Sequence, residues 1–294
     1  MTHKAGFVNI IGNPNVGKST LMNALVGERL SIITSKAQTT RHRILGIVNG
    51  DDFQIMFSDT PGIIKPAYEL QASMMDFVKS AMQDADVLIY MVEMGEKSLK
   101  DEQFFKRIIN AKIPVMLLLN KIDQFTQEEV EEKMEFWQEK VPNAEIYPLS
   151  ALENFNVQNI FDAIVDKLPE SPPYYPKDQL TDKPERFFVN ECIREKILLH
   201  YKKEIPYAIE VETESFKEDD ELIKIRALIM VERETQKGII IGHKGQALKR
   251  VGSEARKDLE SFFQKKIFLD LFVKVNKNWR TNEKQLKRFG YRDH

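Results

Sequence analysis

The stretch Gly12-Asn13-Pro14-Asn15-Val16-Gly17-Lys18-Ser19 decides the fold of the first half of the chain. It has the spacing G-x-x-x-x-G-K-[ST], follows the apolar run 7–11 and precedes a helix predicted over 19–26. Glycines in such a loop let backbone N–H groups face phosphates, and the helix N-terminus adds a partial positive charge. The loop therefore predicts a nucleoside-triphosphate site, in which Lys18 bridges the β- and γ-phosphates and Ser19 offers a hydroxyl to Mg²⁺. We count the next residue, Thr20, among the nucleotide contacts.

Apolar runs alternate with helical patterns on both sides of this loop. Strands are predicted over 7–11, 43–48, 53–58, 87–92, 115–119 and 145–149, and helices over 19–26, 70–82, 101–109, 128–139 and 157–167. This alternation predicts an α/β domain with a doubly wound, mostly parallel sheet and helices on both faces. Ligands of such sheets lie beyond the carboxyl ends of the strands, so motifs that follow strands are the candidate site.

Two motifs that follow strands indicate the base. Asn120-Lys121-Ile122-Asp123 comes after the strand predicted over 115–119. An aspartate at position 123 can accept hydrogen bonds from both guanine N1–H and the exocyclic amine, a donor pair that adenine lacks. Asn120 would fix the loop and Lys121 would lie along the base. Ser150-Ala151-Leu152 follows the next strand and would complete the pocket, with the Ala151 amide near guanine O6. The predicted ligands are therefore GTP and GDP.

A fourth motif and a threonine pair concern the metal and the γ-phosphate. Asp59-Thr60-Pro61-Gly62 follows the strand predicted over 53–58, so Asp59 would hold Mg²⁺ through water and the Gly62 amide would sense the γ-phosphate. Thr39 and Thr40 lie in the polar stretch 34–43, and one of them would complete the Mg²⁺ shell only when GTP is bound. We favour Thr40. The predicted catalytic residues are Lys18, Thr40, Asp59 and Gly62.

Composition indicates a second domain with a different partner. Residues 1–180 carry 18 Lys and Arg against 25 Asp and Glu, whereas residues 181–294 carry 25 against 20. A basic second half indicates a polyanionic partner. The single cysteine, Cys192, rules out an internal disulfide, and no stretch approaches the ~20 apolar residues that span a bilayer. We therefore expect a cytoplasmic protein.

A proline-rich stretch marks the boundary between the two domains. We place the first domain at 1–168, a semi-rigid linker at 169–186 and the second domain at 187–294. The second domain is predicted as helix 187–201, strands 207–215 and 222–231, helix 235–241, turn 242–245, helix 246–263, strand 267–275 and helix 281–289. This is a smaller α+β unit.

The turn of the second domain contains Gly242-His243-Lys244-Gly245, a G-x-x-G loop between two helices. Such a loop clamps the backbone of about four nucleotides in KH modules. The element order matches the bacterial, type II KH variety, and the isoleucines before the loop would line a groove under the bases. The predicted RNA contacts are Gly238, Ile239, Ile241, Gly242, His243, Lys244, Gly245, Lys249 and Arg250.

Both halves together resemble the Era family of bacterial ribosome-assembly GTPases. The resemblance rests on Thr39-Thr40-Arg41-His42-Arg43, on Asp59-Thr60-Pro61-Gly62 and on the segment 236–242. It implies a switch that hydrolyses GTP with Mg²⁺, binds the 3′ end of small-subunit (16S) ribosomal RNA and assists assembly of the 30S subunit, and we expect a monomer. By the same resemblance, Asn15 would bind a K⁺ beside the phosphates. Ile63 stands where Ras-like enzymes place a water-orienting glutamine, and because isoleucine cannot hydrogen-bond water we expect slow intrinsic turnover. His243 stands where many relatives have a lysine.

Two alternatives remain open at this point. The first is a metabolic ATP- or GTP-dependent enzyme, which the absence of a further catalytic carboxylate cluster and the presence of Asp123 disfavour. The second is a GTPase attached peripherally to the cytoplasmic face of the inner membrane. In that case a basic C-terminal helix would bind anionic lipid through Lys284, Lys287, Arg288 and Arg292.

Overall fold

The computed structural model describes residues 3–292 of the chain and divides the chain into two compact units. One unit comprises residues 1–67 and 71–182, and the other comprises residues 68–70 and 183–294. Each unit is built on its own sheet, with six strands in the first and three in the second. Within the described residues, no helix is both long enough and apolar enough to cross a membrane.

The first unit is a doubly wound α/β domain. Its strands are β1 (Lys4–Gly12), β2 (Ile44–Asn49), β3 (Phe53–Asp59), β4 (Val87–Glu93), β5 (Val115–Asn120) and β6 (Ala144–Pro148). Its helices are α1 (Lys18–Val26), α2 (Glu69–Gln83), α3 (Glu102–Ile109), α4 (Gln127–Lys140) and α5 (Val157–Lys167). The strand order is β2-β3-β1-β4-β5-β6, and every pair is parallel except β2 with β3. The predicted doubly wound, mostly parallel sheet is confirmed.

Burial explains why the central strands read as unbroken apolar runs. Every residue of β5 is buried, and β4 is buried except for its last residue, Glu93. Strands with both faces covered by helices lose the polar–apolar alternation of half-exposed strands. The carboxyl ends of β1, β3 and β5, at Gly12, Asp59 and Asn120, fall on one edge of the sheet. The sequence motifs that follow these strands are brought together at that edge.

The proline-rich stretch predicted as a linker is not a free connector. Residues 169–182 belong to the first unit and run along its sheet as an extended strap. The Ala5 amide donates to the Pro169 carbonyl at 3.1 Å, and the Ile47 amide donates to the Leu180 carbonyl at 2.8 Å. Proline removes amide donors but leaves carbonyl acceptors, so a proline-rich segment can still accept hydrogen bonds from the amides of neighbouring strands. The first unit thus extends to Asp182.

The second unit follows the predicted order of elements. It contains α6 (Glu185–His200), β7 (Glu210–Glu218), β8 (Leu222–Val231), α7 (Glu234–Ile241), α8 (Gln246–Phe263), β9 (Lys266–Val275) and α9 (Glu283–Arg288). The sheet order is β7-β8-β9, with β7 antiparallel and β9 parallel to β8. The smaller α+β domain is confirmed. Its first strand begins at Glu210 rather than at 207, because Ile205–Tyr207 form a 3₁₀ turn that contains Pro206.

The helices of the second unit cover one face of its sheet. Ile193 and Ile197 of α6, Ile225 and Ile229 of β8 and Val251 of α8 are all buried in one apolar core. Cys192 packs at the edge of this core, where its thiol donates to the Ala255 carbonyl at 3.5 Å. The loop between α7 and α8 is left at the surface, where His243 and Lys244 are exposed.

Candidate functional site

A cavity of about 500 Å³ opens at the carboxyl edge of the six-stranded sheet. Of the residues predicted to contact nucleotide or metal, the cavity is lined by Pro14, Asn15, Gly17, Lys18, Ser19, Thr20, Thr40, Thr60, Gly62, Asn120, Lys121, Asp123, Ser150, Ala151 and Leu152. Five sequence motifs that are far apart in the chain therefore meet in one space. The predicted contacts that do not line it are Gly12, Asn13, Val16, Asp59 and Pro61.

The phosphate-binding loop presents Lys18 from the start of α1. The Lys18 ammonium donates to the Gly12 carbonyl at 3.2 Å and to the Asn13 carbonyl at 2.8 Å. Burial lowers the pKa of Lys18 to about 8, against the opposing attraction of Asp59 and Glu96. An ammonium has three protons, so two carbonyl partners leave one donor for phosphate oxygens.

Glycine is required at two contacts of this loop. A side chain at Gly17, whose φ is +105°, would place Cβ 2.3 Å from the Asn120 amide nitrogen. A Cβ at Gly62 would lie 2.7 Å from the Pro14 Cα. The segment after β3 therefore packs directly on the phosphate-binding loop, and the Ile63 amide donates to the Gly12 carbonyl at 3.0 Å. This packing holds Gly62 beside the phosphate-binding loop, as its predicted role requires.

Three oxygen ligands predicted for Mg²⁺ form a compact cluster. The Ser19 hydroxyl lies 2.7 Å from Asp59 Oδ2 and 2.9 Å from Thr40 Oγ1, and Thr40 Oγ1 lies 3.3 Å from the same carboxylate oxygen. Burial raises the pKa of Asp59, whose Oδ1 has no hydrogen-bond partner among the described residues. Hydroxyl and carboxylate oxygens are the donors that Mg²⁺ takes, with waters and phosphates in its remaining positions. The cluster fits the ion.

The structure separates the two candidate threonines. Thr39 Oγ1 donates to the Lys36 carbonyl at 2.6 Å and lies 2.6 Å from Thr34 Oγ1, so it is engaged within its own loop. Thr40, by contrast, is hydrogen-bonded to Ser19 and Asp59. This geometry supports the choice of Thr40.

The base end of the cavity is organised by Asn120. Its side-chain amide donates to the Val16 carbonyl at 2.7 Å, while its oxygen accepts from the Ala151 amide at 2.9 Å. Asp123 Oδ1 accepts from the Ser150 hydroxyl at 2.6 Å, and this hydrogen bond holds the pKa of Asp123 below its usual value. A carboxylate that stays ionised suits the pairing with two guanine donors.

Three groups of the site have partners that the sequence did not indicate. The Ala151 amide, predicted near guanine O6, is engaged by Asn120. Lys121 forms an ion pair with Glu93, which the sequence did not suggest as part of the site. Asn13 turns its side chain away from the cavity and hydrogen-bonds to residues 96–100. The sequence does not predict these partners, because Glu93 and Glu96 are charged residues after a predicted strand and belong to no recognisable motif.

Asn15, predicted to bind K⁺, lies at the mouth of the cavity. It is exposed and has a left-handed backbone, with φ +67°. Its side-chain amide donates to the Ser35 carbonyl at 3.1 Å, which leaves the side-chain oxygen available to a cation. Ile63 is fully buried and apolar, so its side chain offers no hydrogen bond to an attacking water.

Apolar residues that the motifs did not indicate also line the cavity. Ile33 and Phe125 keep 43% and 42% of their surface exposed there, and Leu152, which was predicted, keeps 76%. Large exposed apolar side chains around a polar site are typical of surfaces that cover a planar ligand.

The G-x-x-G loop of the second unit is exposed and strongly bent. Gly242, Lys244 and Gly245 have φ values of +71°, +50° and +76°. Lys249 and Arg250 are exposed on the first turns of α8, and the Arg250 guanidinium lies 3.1 Å from Glu254. The loop thus offers backbone and positive charge to a polyanion.

The isoleucines before this loop divide between surface and core. Ile239 is 49% exposed and Ile241 half-buried, as a groove lining requires. The intervening Ile240 is fully buried, and its carbonyl accepts from the Tyr201 hydroxyl at 2.7 Å. Gly238 is exposed at the same end of α7.

Comparison with known proteins identifies both units. Residues 7–121 match the family described as 50S ribosome-binding GTPase, and residues 204–280 match the KH domain family. The chain is 45% identical to GTPase Era of Staphylococcus haemolyticus (strain JCSC1435) over 291 residues, which is 98% of this chain and 97% of that protein.

Two solved structures agree over nearly the whole chain. One is Era in complex with MgGDPNP and nucleotides 1506–1542 of 16S ribosomal RNA, and the other is a variant of Aquifex aeolicus Era bound to GDP·AlF₄⁻. Each is 38% identical, has a TM-score of 0.94 and covers 98% of this chain and 99% of the other. With its cavity for guanine nucleotide and Mg²⁺, the chain belongs to the Era family of GTPases.

Proposed function

We propose that this GTPase is a switch that binds the 3′ end of 16S ribosomal RNA and assists assembly and maturation of the 30S subunit. One observation supports this most strongly: a guanine-nucleotide cavity and an exposed, basic G-x-x-G loop occur in one chain. The structurally similar Era was crystallised with both MgGDPNP and nucleotides 1506–1542 of that RNA. The loop's left-handed backbone and the exposed Lys244 suit a clamp on a nucleic-acid backbone.

In the proposed nucleotide site, Lys18 holds the β- and γ-phosphates, Asp123 reads guanine, and Ser19, Thr40 and Asp59 hold Mg²⁺. Bound Mg²⁺ neutralises charge that develops on the phosphate oxygens. Thr40 and Gly62 would both respond to the γ-phosphate. The Thr40 hydroxyl belongs to the group of predicted Mg²⁺ ligands, and Gly62 packs on the phosphate-binding loop. Loss of that phosphate releases both segments, which is how such switches relax after hydrolysis.

Hydrolysis is proposed to be slow because no side chain at position 63 orients the water. The Ile63 side chain is buried and apolar. Attack of water on the γ-phosphate would then depend on backbone groups, on the Mg²⁺ that Ser19, Thr40 and Asp59 would hold, and on a K⁺ that Asn15 would hold. The lifetime of the GTP-bound state would time the residence of the protein on RNA.

An RNA-binding measurement tests the proposal. The full chain, loaded with a non-hydrolysable GTP analogue, is titrated with a fluorescent RNA of the 16S 3′-terminal sequence and with a scrambled RNA of equal length. We expect selective binding that G242D and K244A abolish while GDP affinity stays within about twofold. K217A removes an exposed lysine of β7 outside the loop and serves as the control. Equal binding of both RNAs, or RNA binding by G242D at full strength, would defeat the proposal.

Four further assays address cell context and the alternatives. Sedimentation of lysates on sucrose gradients should place the protein with 30S particles in the cytoplasm, and light scattering should give a monomer. Liposomes with anionic lipid should bind weakly relative to RNA; the reverse order would favour peripheral attachment through the C-terminal helix. ATP should not compete with GTP, whereas equal ATP binding would favour a metabolic enzyme.

A further inference from the structure

Asn13, at the second position of the phosphate-binding loop, uses its whole side chain outside the cavity. Its amide nitrogen donates to Glu96 Oε1 at 2.7 Å and to the Ser98 carbonyl at 3.1 Å, and its oxygen accepts from the Lys100 amide at 3.1 Å. Asn13 is only 3% exposed, so the Asn13 side of these bonds is sheltered from water. All the hydrogen-bonding capacity of the amide nitrogen is committed to the segment that follows β4.

The segment that Asn13 binds is itself fixed. Leu99 is buried in the first unit, and the Asp101 carboxylate caps α3 by accepting from the Gln103 amide at 2.8 Å. The Glu96 amide also donates to the Glu93 carbonyl at 3.0 Å and closes a turn after β4. A loop bonded to such a segment has few other positions open to it.

The main chain of Asn13 reaches the reacting end of the nucleotide site. Its carbonyl accepts from the Lys18 ammonium at 2.8 Å. A displacement of Asn13 therefore moves one of the two carbonyls that aim the phosphate-binding lysine. The Glu96 carboxylate is close enough for its charge to raise the pKa of Lys18.

Glu96 occupies this position although burial disfavours its ionised form. Its Oε2 is buried and has no hydrogen-bond partner among the described residues, and the negative charge of Glu93 lies nearby. A buried carboxylate oxygen without a partner lowers folding stability. Ionisable groups whose burial lowers folding stability are concentrated at functional sites.

We propose that Asn13 and Glu96 are positioning residues for GTP binding: Glu96 anchors the Asn13 side chain, and Asn13 fixes the carbonyl that aims Lys18 at the phosphates. Neither side chain touches the nucleotide. The pair acts on affinity for the β- and γ-phosphates and leaves recognition of the base to Asp123.

A double-mutant cycle tests the pair. The affinities of nucleotide-free full-length protein for GDP and for a non-hydrolysable GTP analogue are measured for N13A, E96A, the double variant and E96Q. We expect N13A to weaken both by about tenfold and E96A by about fivefold, the size of one or two lost hydrogen bonds. Because Glu96 acts through Asn13, the double variant should be no weaker than N13A within about twofold.

Three controls separate positioning from general damage. E96Q keeps an oxygen that accepts from Asn13, so it should restore affinity to within about twofold of the unaltered protein. The ratio of GDP to IDP affinity, which reports on the base, should be unchanged in N13A. E102Q removes an exposed carboxylate at the start of α3 and should have no effect. Additive losses in the double variant, failure of E96Q to restore affinity, or a changed GDP-to-IDP ratio would each overturn the proposal.

Discussion

Asn120 at the end of β5 donates its side-chain amide to the main-chain carbonyl of Val16 at 2.7 Å, 104 residues earlier in the chain. Val16 belongs to the phosphate-binding loop, and the oxygen of the same Asn120 side chain accepts from Ala151. One buried amide thus joins the phosphate end of the cavity to both segments that surround the base. We therefore expect Asn120 to affect both nucleotide affinity and base recognition.

Replacing Asn120 should loosen the whole nucleotide cavity. N120A removes two buried hydrogen bonds and leaves the Val16 carbonyl and the Ala151 amide without that partner. We expect a loss of ~1–3 kcal/mol in GDP binding and a lower melting temperature of the nucleotide-free protein. Calorimetry of GDP binding, together with thermal melts, measures both. An unchanged GDP affinity would show that the bridge to Val16 has no role in binding.

Replacing Asp123 should change which base is bound and leave the fold intact. Asp123 is exposed, so D123N removes a charge without opening a cavity. We expect GDP to bind about 100-fold more weakly, because charge-assisted bonds to two guanine donors are lost. The new amide can donate to the C2 carbonyl of xanthine, so XDP should bind better than GDP. Competition between the two nucleotides gives the ratio, and a preference for GDP would contradict the assignment of Asp123 to the base.

The predictable part of the nucleotide site follows from local chemistry. The convergence of Lys18, Asp59, Asn120 and Asp123 could be predicted because each lies at or after the carboxyl end of a strand in a mostly parallel sheet, and such strands bring their carboxyl ends together. The order of helices and strands in the second unit could also be predicted, because its apolar residues recur with the spacing of a helix or of a strand.

The features of the site that could not be predicted are hydrogen bonds between residues far apart in the chain that belong to no recognisable motif. Nothing local distinguishes Glu96 from other acidic residues, yet it anchors Asn13 across 83 positions of the chain. The engagement of the Ala151 amide by Asn120 depends on how two loops pack. Proline composition predicts a linker over 169–186, because it indicates which amide donors are lost and not that the carbonyls of Pro169 and Leu180 accept from strand amides.

The two neighbouring threonines should differ in their effect on Mg²⁺. T40A removes the hydroxyl that lies beside Ser19 and Asp59, whereas T39A removes one that bonds to the Lys36 carbonyl. We expect T40A to lower Mg²⁺-saturated GTP hydrolysis by at least about tenfold, or ~1.4 kcal/mol in activation free energy, with a smaller effect of T39A. Hydrolysis across an Mg²⁺ titration measures this. A larger effect of T39A would move the ligand assignment to its neighbour.

Potassium should stimulate hydrolysis through Asn15. Its side-chain oxygen is available at the mouth of the cavity, and its amide nitrogen is held by Ser35. We expect faster GTP turnover in KCl than in NaCl at equal ionic strength, and N15A should remove the difference while retaining the rate in NaCl. Phosphate release at matched chloride concentration provides the measurement. Equal rates in the two salts would refute a role for K⁺.

Removing the charge of Glu96 should stabilise the fold at neutral pH. Burial raises the pKa of Glu96, against a hydrogen bond from Asn13 and the attraction of Lys18, and Glu93 adds repulsion. When the pKa of a carboxyl is higher in the folded state than in the unfolded state, its ionised form lowers the free energy of unfolding. This destabilisation disappears as the pH falls through the raised pKa and the carboxyl becomes protonated. E96Q should therefore melt at a higher temperature than the unaltered protein at pH 7.5, and the difference should shrink at pH 5. Thermal melts across this range, with E102Q as the exposed comparison, decide the matter. A stabilisation that is the same at both pH values would show that packing of the amide, rather than relief of a buried charge, is responsible.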